Sequence, residues 1–167
     1  MTTATLTAAP TIRAATEADV SRLMEMGQRF QRETVYCRGT AWDVDQMGKT
    51  ARGLIAAEDG LLLVATRDEV VIGMFGALIF THPITAERTA AEVFFWVEPE
   101  SRGYGVRLLR RAEQWAERHG AARMQMIAPS PEIETFYRRL GYRALEVTYD
   151  KALTVKEPPC LSAQQQL

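Results

Sequence analysis

Between Arg102 and Arg107 the chain reads Arg-Gly-Tyr-Gly-Val-Arg, two glycines two residues apart with an arginine at each end. Glycine loses more conformational freedom on folding than any other residue, so a pair at this spacing calls for a reason. Two reasons compete. The glycines can serve a tight turn, or their missing side chains can let a bulky anion reach backbone N–H groups. The second suits a stretch where a helix begins, because the first N–H groups of a helix have no internal partner and carry partial positive charge. Arg102 and Arg107 add mobile charge, and a pyrophosphate is the natural guest. On the RGxG pattern alone the plain turn prevails. The stretch is not a Walker loop, for no Gly-Lys-Ser/Thr follows, and it lacks the dinucleotide GxGxxG. A second chemistry-bearing position is Glu92, the only acidic residue in the run 90–97. Buried there without a task a carboxylate is costly; at an exposed strand start it is merely solvated. The sequence leaves both readings of Glu92 open.

These residues need elements to position them. "TIRAAT" reads as a short first strand, with Thr16 placed to cap a helix over Glu17–Thr34 on which Val20, Leu23, Met24, Gly27 and Phe30 recur at helical spacing. A second helix is expected over Asp43–Ala57, with Val44, Met47, Ala51, Leu54 and Ile55 on one side. Two β-rich runs then flank Arg67-Asp68-Glu69 as a hairpin, and "AAEVFFWVEP" is a further strand stopped by Pro99. The helix over 103–119 has the clearest pattern. Gly105, Leu108, Leu109, Ala112, Trp115 and Ala116 make one face, while Arg107, Arg110, Arg111, Glu113, Gln114, Glu117 and Arg118 make the other. Gly120 marks its end. "ARMQMIA" alternates as a strand. A short helix opens with Ser130 as N-cap and Pro131 at its first position, and Gly141 closes it. "YRALEVTYDKAL" reads as a last strand. Early helices, central strands and a strand–helix–strand–helix–strand finish indicate an α/β domain with a mixed sheet.

Composition narrows the classes. A chain of 167 residues is most simply one domain, with an apolar fraction of 47% and a charged fraction of 25%. A net charge of −1 argues against nucleic acid as a partner, since no basic excess is there to displace counterions. Cys37 and Cys160 stand far apart and outside any CxxC, and the histidines are only His82 and His119, so neither a disulfide framework nor a metal site is indicated. No apolar run reaches membrane-spanning length, and "MTTATLTAAPT" lacks the order of a signal peptide; a cytoplasmic protein is the expectation. Residues 1–10 read as a disordered start, 11–153 as the folded domain and 154–167, with two prolines and few apolar residues, as a mobile tail.

"VEPESRGYGVRLL", followed some thirty residues on by "FYRRLGY", resembles the GNAT superfamily, the acyl-CoA-dependent N-acetyltransferases. The resemblance spans about Ile12 to Asp150. It implies a mixed, largely antiparallel twisted sheet flanked by about four helices, so that 11–153 is an N-acetyltransferase domain. It also implies that a [QR]-x-x-G-x-[GA] turn cradles the pyrophosphate of coenzyme A, here through Arg102, Gly103, Tyr104, Gly105, Val106 and Arg107. Arg102, Gly103 and Gly105 match; Arg107 stands where the family has a small residue. Ser130 stands where the family often has a capping asparagine. The strand before the turn contacts the pantetheine arm in this family, which assigns the backbone of Phe95, Trp96 and Val97, and Phe136 joins the cofactor set.

Acetyl transfer from a thioester to an amine needs the amine deprotonated, an N–H donor for the oxyanion and a proton for the leaving thiolate. By the resemblance Tyr137 is that acid; its plain alternative is packing, since Ile133, Phe136, Tyr137 and Leu140 share an apolar face. Glu92 could take the amine proton directly or through water. Glu98 and Glu100 read as surface charges, His82 as a weaker base, and Arg110, Arg111 and Arg118 as a solvated helix face. The resulting expectation is an acetyl-CoA-dependent enzyme acting on a primary amine by direct attack in a ternary complex, with no metal and with a homodimer as one option. Its rivals are a catalytically silent acyl-CoA-binding module and a scaffold or nucleic-acid protein on the same fold. Residues 30–43 carry no acceptor signature, leaving protein lysines, N-termini, polyamines and small metabolites open.

Overall fold

The computed structural model describes residues 9–37, 41–151 and 153. They fall into two compact units, one holding the residues up to Gly27 and Val44–Met126, the other Gln28–Asp43 and the residues from Ile127 onward. The predicted start 1–10, apart from Ala9 and Pro10, and the predicted tail 154–167 lie outside the described residues.

The first unit is a five-stranded sheet in the order β1-β2-β3-β4-β5. β1 (Thr11–Ala14), β2 (Gly60–Arg67), β3 (Val70–Thr81) and β4 (Arg88–Val97) form an antiparallel meander. β5 (Arg123–Gln125) pairs parallel to β4, which requires a crossover, and α3 (Gly105–Arg118) supplies it. Hairpin β2–β3 closes through Asp68 (φ 48°) and Glu69 (φ 68°), both left-handed, the backbone that matches the twist of paired strands. The helix pattern read from the sequence holds on α3, where Gly105, Leu108, Leu109, Ala112, Trp115 and Ala116 are buried and Gly120 (φ 74°) ends the run. On α1 (Val20–Glu33) the buried stripe is Val20, Leu23, Met26 and Gly27, so Met26 takes the place expected of Met24. On α2 (Val44–Ala56) the stripe is Gly48, Ala51 and Leu54, and the expected Val44 and Ile55 are exposed.

α2 and α3 cover opposite faces of the sheet. A side chain at Gly76 would meet Leu54 of α2, whereas one at Gly73 would meet Leu108 of α3, and these two β3 positions have opposite parity. Among the described residues no helix is long and apolar enough to cross a membrane.

In the second unit α4 (Pro131–Arg139) is capped by Ser130, whose hydroxyl accepts from the Ile133 N–H, and is closed by Gly141 (φ 95°). The last predicted strand is absent: residues 142–151 carry no regular structure, and Leu145, Val147 and Tyr149 are exposed. Alternation there is real, but a strand exists only by pairing, and no described strand pairs with it. The predicted strand "ARMQMIA" likewise shrinks to the three residues of β5, the length over which β4 pairs with it.

The entry to α1 is set by one buried carboxylate. Asp19 accepts from both terminal nitrogens of Arg13 (2.7 and 2.8 Å) and from the Thr16 N–H (2.8 Å). The Arg13 bonds hold its carboxyl down at about 2, with burial opposing and the Thr16 bonds assisting. A carboxyl depressed in the folded state stabilises the fold above its ordinary value near 4, and that contribution drains as pH falls toward 2. Asp19→Asn is expected to cost about 1–3 kcal/mol at pH 7. The gap between parent and variant should narrow as thermal unfolding is followed down to pH 2.5; an unchanged gap would show that the charge is not what matters.

Candidate active site

The site is built on the run from β4 through a turn into α3. β4 is not regular: Gly76 pairs with Phe94 and Ala77 with Glu92, so Val93 is an inserted residue, a β-bulge. The consequence falls on Glu92. In an unbroken strand Glu92 would share a face with Phe94 and Trp96, the face toward α2, where Phe94 and Leu54 crowd Gly76. The bulge moves it to the face of Phe75 and Phe95, whose rings meet at 5.1 Å. There Glu92 is half-buried, neither the buried nor the fully solvated carboxylate of the two sequence readings.

Beyond Ala91 the two parallel strands part. β5 pairs only with Thr89–Ala91, so among the described residues no strand flanks Phe95, Trp96 and Val97 on the side away from β3. Their side chains are committed elsewhere: Phe95 and Val97 lie beneath the start of α3, and Trp96 is buried on the other face. What this segment presents on the side away from β3 is backbone.

The helix begins later than the sequence implied. Pro99–Tyr104 is a 3₁₀ turn, and α3 opens at Gly105. The two glycines therefore have different reasons. A Cβ at Gly105 would stand 3.3 Å from the Phe95 ring and 3.7 Å from Val97, so its absence lets α3 press on β4. A Cβ at Gly103 would meet nothing within 4 Å, and its φ is not left-handed. Neither packing nor backbone strain demands glycine there. The space beside Gly103 is open among the described residues.

Arg102, Arg107 and Arg111 are exposed and form no ion pair among the described residues, whereas Arg110 pairs with Glu113. The Tyr104 ring is held by Arg67, whose guanidinium lies 5.2 Å from the ring centre. Val106 is half-buried at the helix start.

Glu98 overturns its sequence reading. It is 5% exposed, and its Oε1 accepts from Arg22 Nη2 at 2.8 Å. Glu100 is exposed, as expected. His82 organises the β3–β4 turn, its Nδ1 accepting from the N–H groups of Ile84 and Thr85. Among the described residues no cluster of three His, Cys, Asp or Glu side chains could hold a metal.

Three candidate residues lie in the second unit. Ser130 caps α4, Phe136 is half-buried, and Tyr137 is 6% exposed between the rings of Phe136 (5.4 Å) and Tyr142 (5.6 Å). Tyr137 is thus firmly packed, which suits its packing reading.

Solved structures share this fold. A protein described as a transcriptional regulator from Bacillus halodurans C-125 is 19% identical, covers 87% of this chain and 100% of its own, and gives a TM-score of 0.71. A predicted acetyltransferase with acetyl-CoA from Clostridium acetobutylicum is 18% identical, with coverage of 87% and 97% and a TM-score of 0.71. A ribosomal-protein-alanine N-acetyltransferase from Brucella melitensis biovar Abortus 2308 is 17% identical, with coverage of 87% and 100% and a TM-score of 0.68. At such identities the likeness is one of fold, and activities do not travel with it. No curated relative matches the chain. The family model for the acetyltransferase (GNAT) family matches residues 23–142, which takes in α2, the whole sheet except β1, the glycine turn and α4. This chain belongs to the acetyltransferase (GNAT) family.

Proposed function

We propose that this protein transfers the acetyl group of acetyl-CoA to a primary amine by direct attack in a ternary complex. One observation carries the reading: a Cβ at Gly103 would meet nothing within 4 Å, at a turn flanked by arginines that form no ion pair among the described residues. Membership of the acetyltransferase (GNAT) family supports acetyl-CoA as the ligand of this turn. Acetyl-CoA, when bound, supplies the thioester carbon that the amine attacks.

The chain's own residues then divide the work. The turn at Gly103, the missing side chain of Gly105 and the Val106 N–H, with Arg102 and Arg107, bind the pyrophosphate; the Gly105 N–H itself is given to the Arg102 carbonyl. The backbone of Phe95–Val97 pairs with the amides of the pantetheine arm as an added strand would. Ser130 and Phe136 extend the cofactor contacts from α4. Glu92, half-buried behind its bulge, accepts the proton the amine must lose. As the C–N bond forms and the C–S bond breaks, the Tyr137 hydroxyl gives its proton to the departing thiolate.

Binding is tested by thermal unfolding with acetyl-CoA, which raises Tm if it binds the folded state. Gly103→Ala should leave the Tm of the free protein unchanged and reduce the shift, while Arg102→Glu should nearly abolish it. Gly105→Val should instead lower the free protein's Tm, because its methyls meet the Phe95 ring. No shift in the parent at millimolar acetyl-CoA would contradict the assignment.

Chemistry is tested by transfer of a radiolabelled acetyl group to a panel of amines. Tyr137→Phe should lower kcat by about tenfold to a thousandfold with the fold intact. Glu92→Gln should lower kcat/KM most at neutral pH and less at high pH, where more of the acceptor is already free amine. A binder without transfer activity would return the protein to the silent-module reading; superimposable pH profiles would return Glu92 to a solvent role.

A further inference from the structure

The turn that would hold the pyrophosphate does not hold itself. It leaves β4 at Glu98, and three features converge on that residue. Its N–H donates to the Ile72 carbonyl of β3 (2.9 Å), its carbonyl accepts from the Ser101 N–H (2.8 Å), and its buried carboxylate accepts from Arg22 Nη2 (2.8 Å). Arg22, reaching over from α1, also donates through Nε to the Val71 carbonyl of β3 (3.3 Å). One guanidinium therefore ties the strand and the start of the turn together. Ser101, the residue before Arg102, is itself buried.

The geometry points to Arg22 and Glu98 as positioning residues for cofactor binding, a latch that fixes where Arg102, Gly103 and the first N–H groups of α3 point. This inference rests on the cofactor reading of the turn. A buried carboxylate is costly to strand without its cation, so the pair has a strong preference for the closed arrangement. The turn is only four residues from Glu98 to Arg102, so a shift at the anchor is passed on to the phosphate-binding groups with little to absorb it. Displacements near 1 Å in such an array weaken binding and catalysis by up to about a hundredfold. Neither residue touches the ligand in this account; both act through the turn.

A merely stabilising ion pair makes a different prediction from a latch. Arg22→Lys keeps the charge for Glu98 but loses the planar fork that reaches Val71 and Glu98 together. Its side chain is one-third exposed, so this variant can hydrate what it leaves unbonded and should fold. Glu98→Gln keeps the shape and removes the charge. CoA is titrated calorimetrically into the parent and both variants, at a temperature where far-UV circular dichroism shows each folded. KM for acetyl-CoA and kcat at saturation follow on the parent's best amine. The latch predicts that Kd and KM for the cofactor rise by about tenfold while kcat stays within about twofold, since the chemistry of Glu92 and Tyr137 is untouched. If Tm falls but Kd for CoA stays at the parent's value, the pair only stabilises the fold and the latch is overturned. Should Glu98→Gln fail to fold, Arg22→Lys decides alone. A parent that binds no CoA overturns the cofactor reading itself and the latch with it, an outcome distinct from equal affinities.

Discussion

Everything proposed for this chain depends on how closely α3 approaches the sheet. Two glycines set that distance: a Cβ at Gly73 would stand 3.0 Å from Leu108, and one at Gly105 would stand 3.3 Å from the Phe95 ring. With both side chains absent, Leu108, Leu109 and Ala112 are fully buried and the helix lies flat on β3 and β4. The start of α3 then lies directly beside the last residues of β4. In the proposed reading an anion held at that start and an extended chain lying along Phe95–Val97 would be neighbours, so that one packing contact would serve phosphate and amide recognition together.

The sheet contributes a second adjustment. One extra residue, Val93, re-aims Glu92 from the α2 face to the face of Phe95, and β5 departs after Gln125, so that among the described residues no strand follows β4 beyond Ala91 on that side. Bulges bend a strand and raise its twist, and both help two parallel neighbours part. Gly76 pays for part of this, since the ring of Phe94 and Leu54 occupy the space that its side chain would need. Glycine in a strand usually weakens it, so its place opposite the bulge is explained by that crowding.

Much of this was legible in the residues because it is local. The α3 face, the Ser130 cap, the Gly120 and Gly141 stops and the hairpin at Asp68-Glu69 follow from spacing and turn chemistry within a few positions. The glycine turn reads as an anion site only in company with the second motif, and the structure adds a distinction that spelling cannot show: a Cβ at Gly105 would press on the Phe95 ring, while one at Gly103 would meet nothing within 4 Å. What could not be read is non-local. Glu98 looked like a surface charge beside a proline, yet its partner Arg22 is 76 residues away in sequence. No spacing rule connects them. Glu92 was ambiguous for a related reason, because period-two alternation assigns a face only until the first bulge. The run Leu145, Val147, Tyr149 shows the converse, an alternation with no strand, since pattern proposes a strand and pairing makes one.

The central claim is that the start of α3 and the last residues of β4 form one cofactor surface. Backbone amide NMR during a titration with CoA tests it most directly. The account predicts that the largest shifts fall on the amides of Gly103, Gly105, Val106 and Arg107 and, more weakly, on Phe95–Val97, while amides of β1 and the β2–β3 hairpin stay in place. Saturable shifts centred anywhere else, with the Gly103–Arg107 amides unmoved, would contradict it.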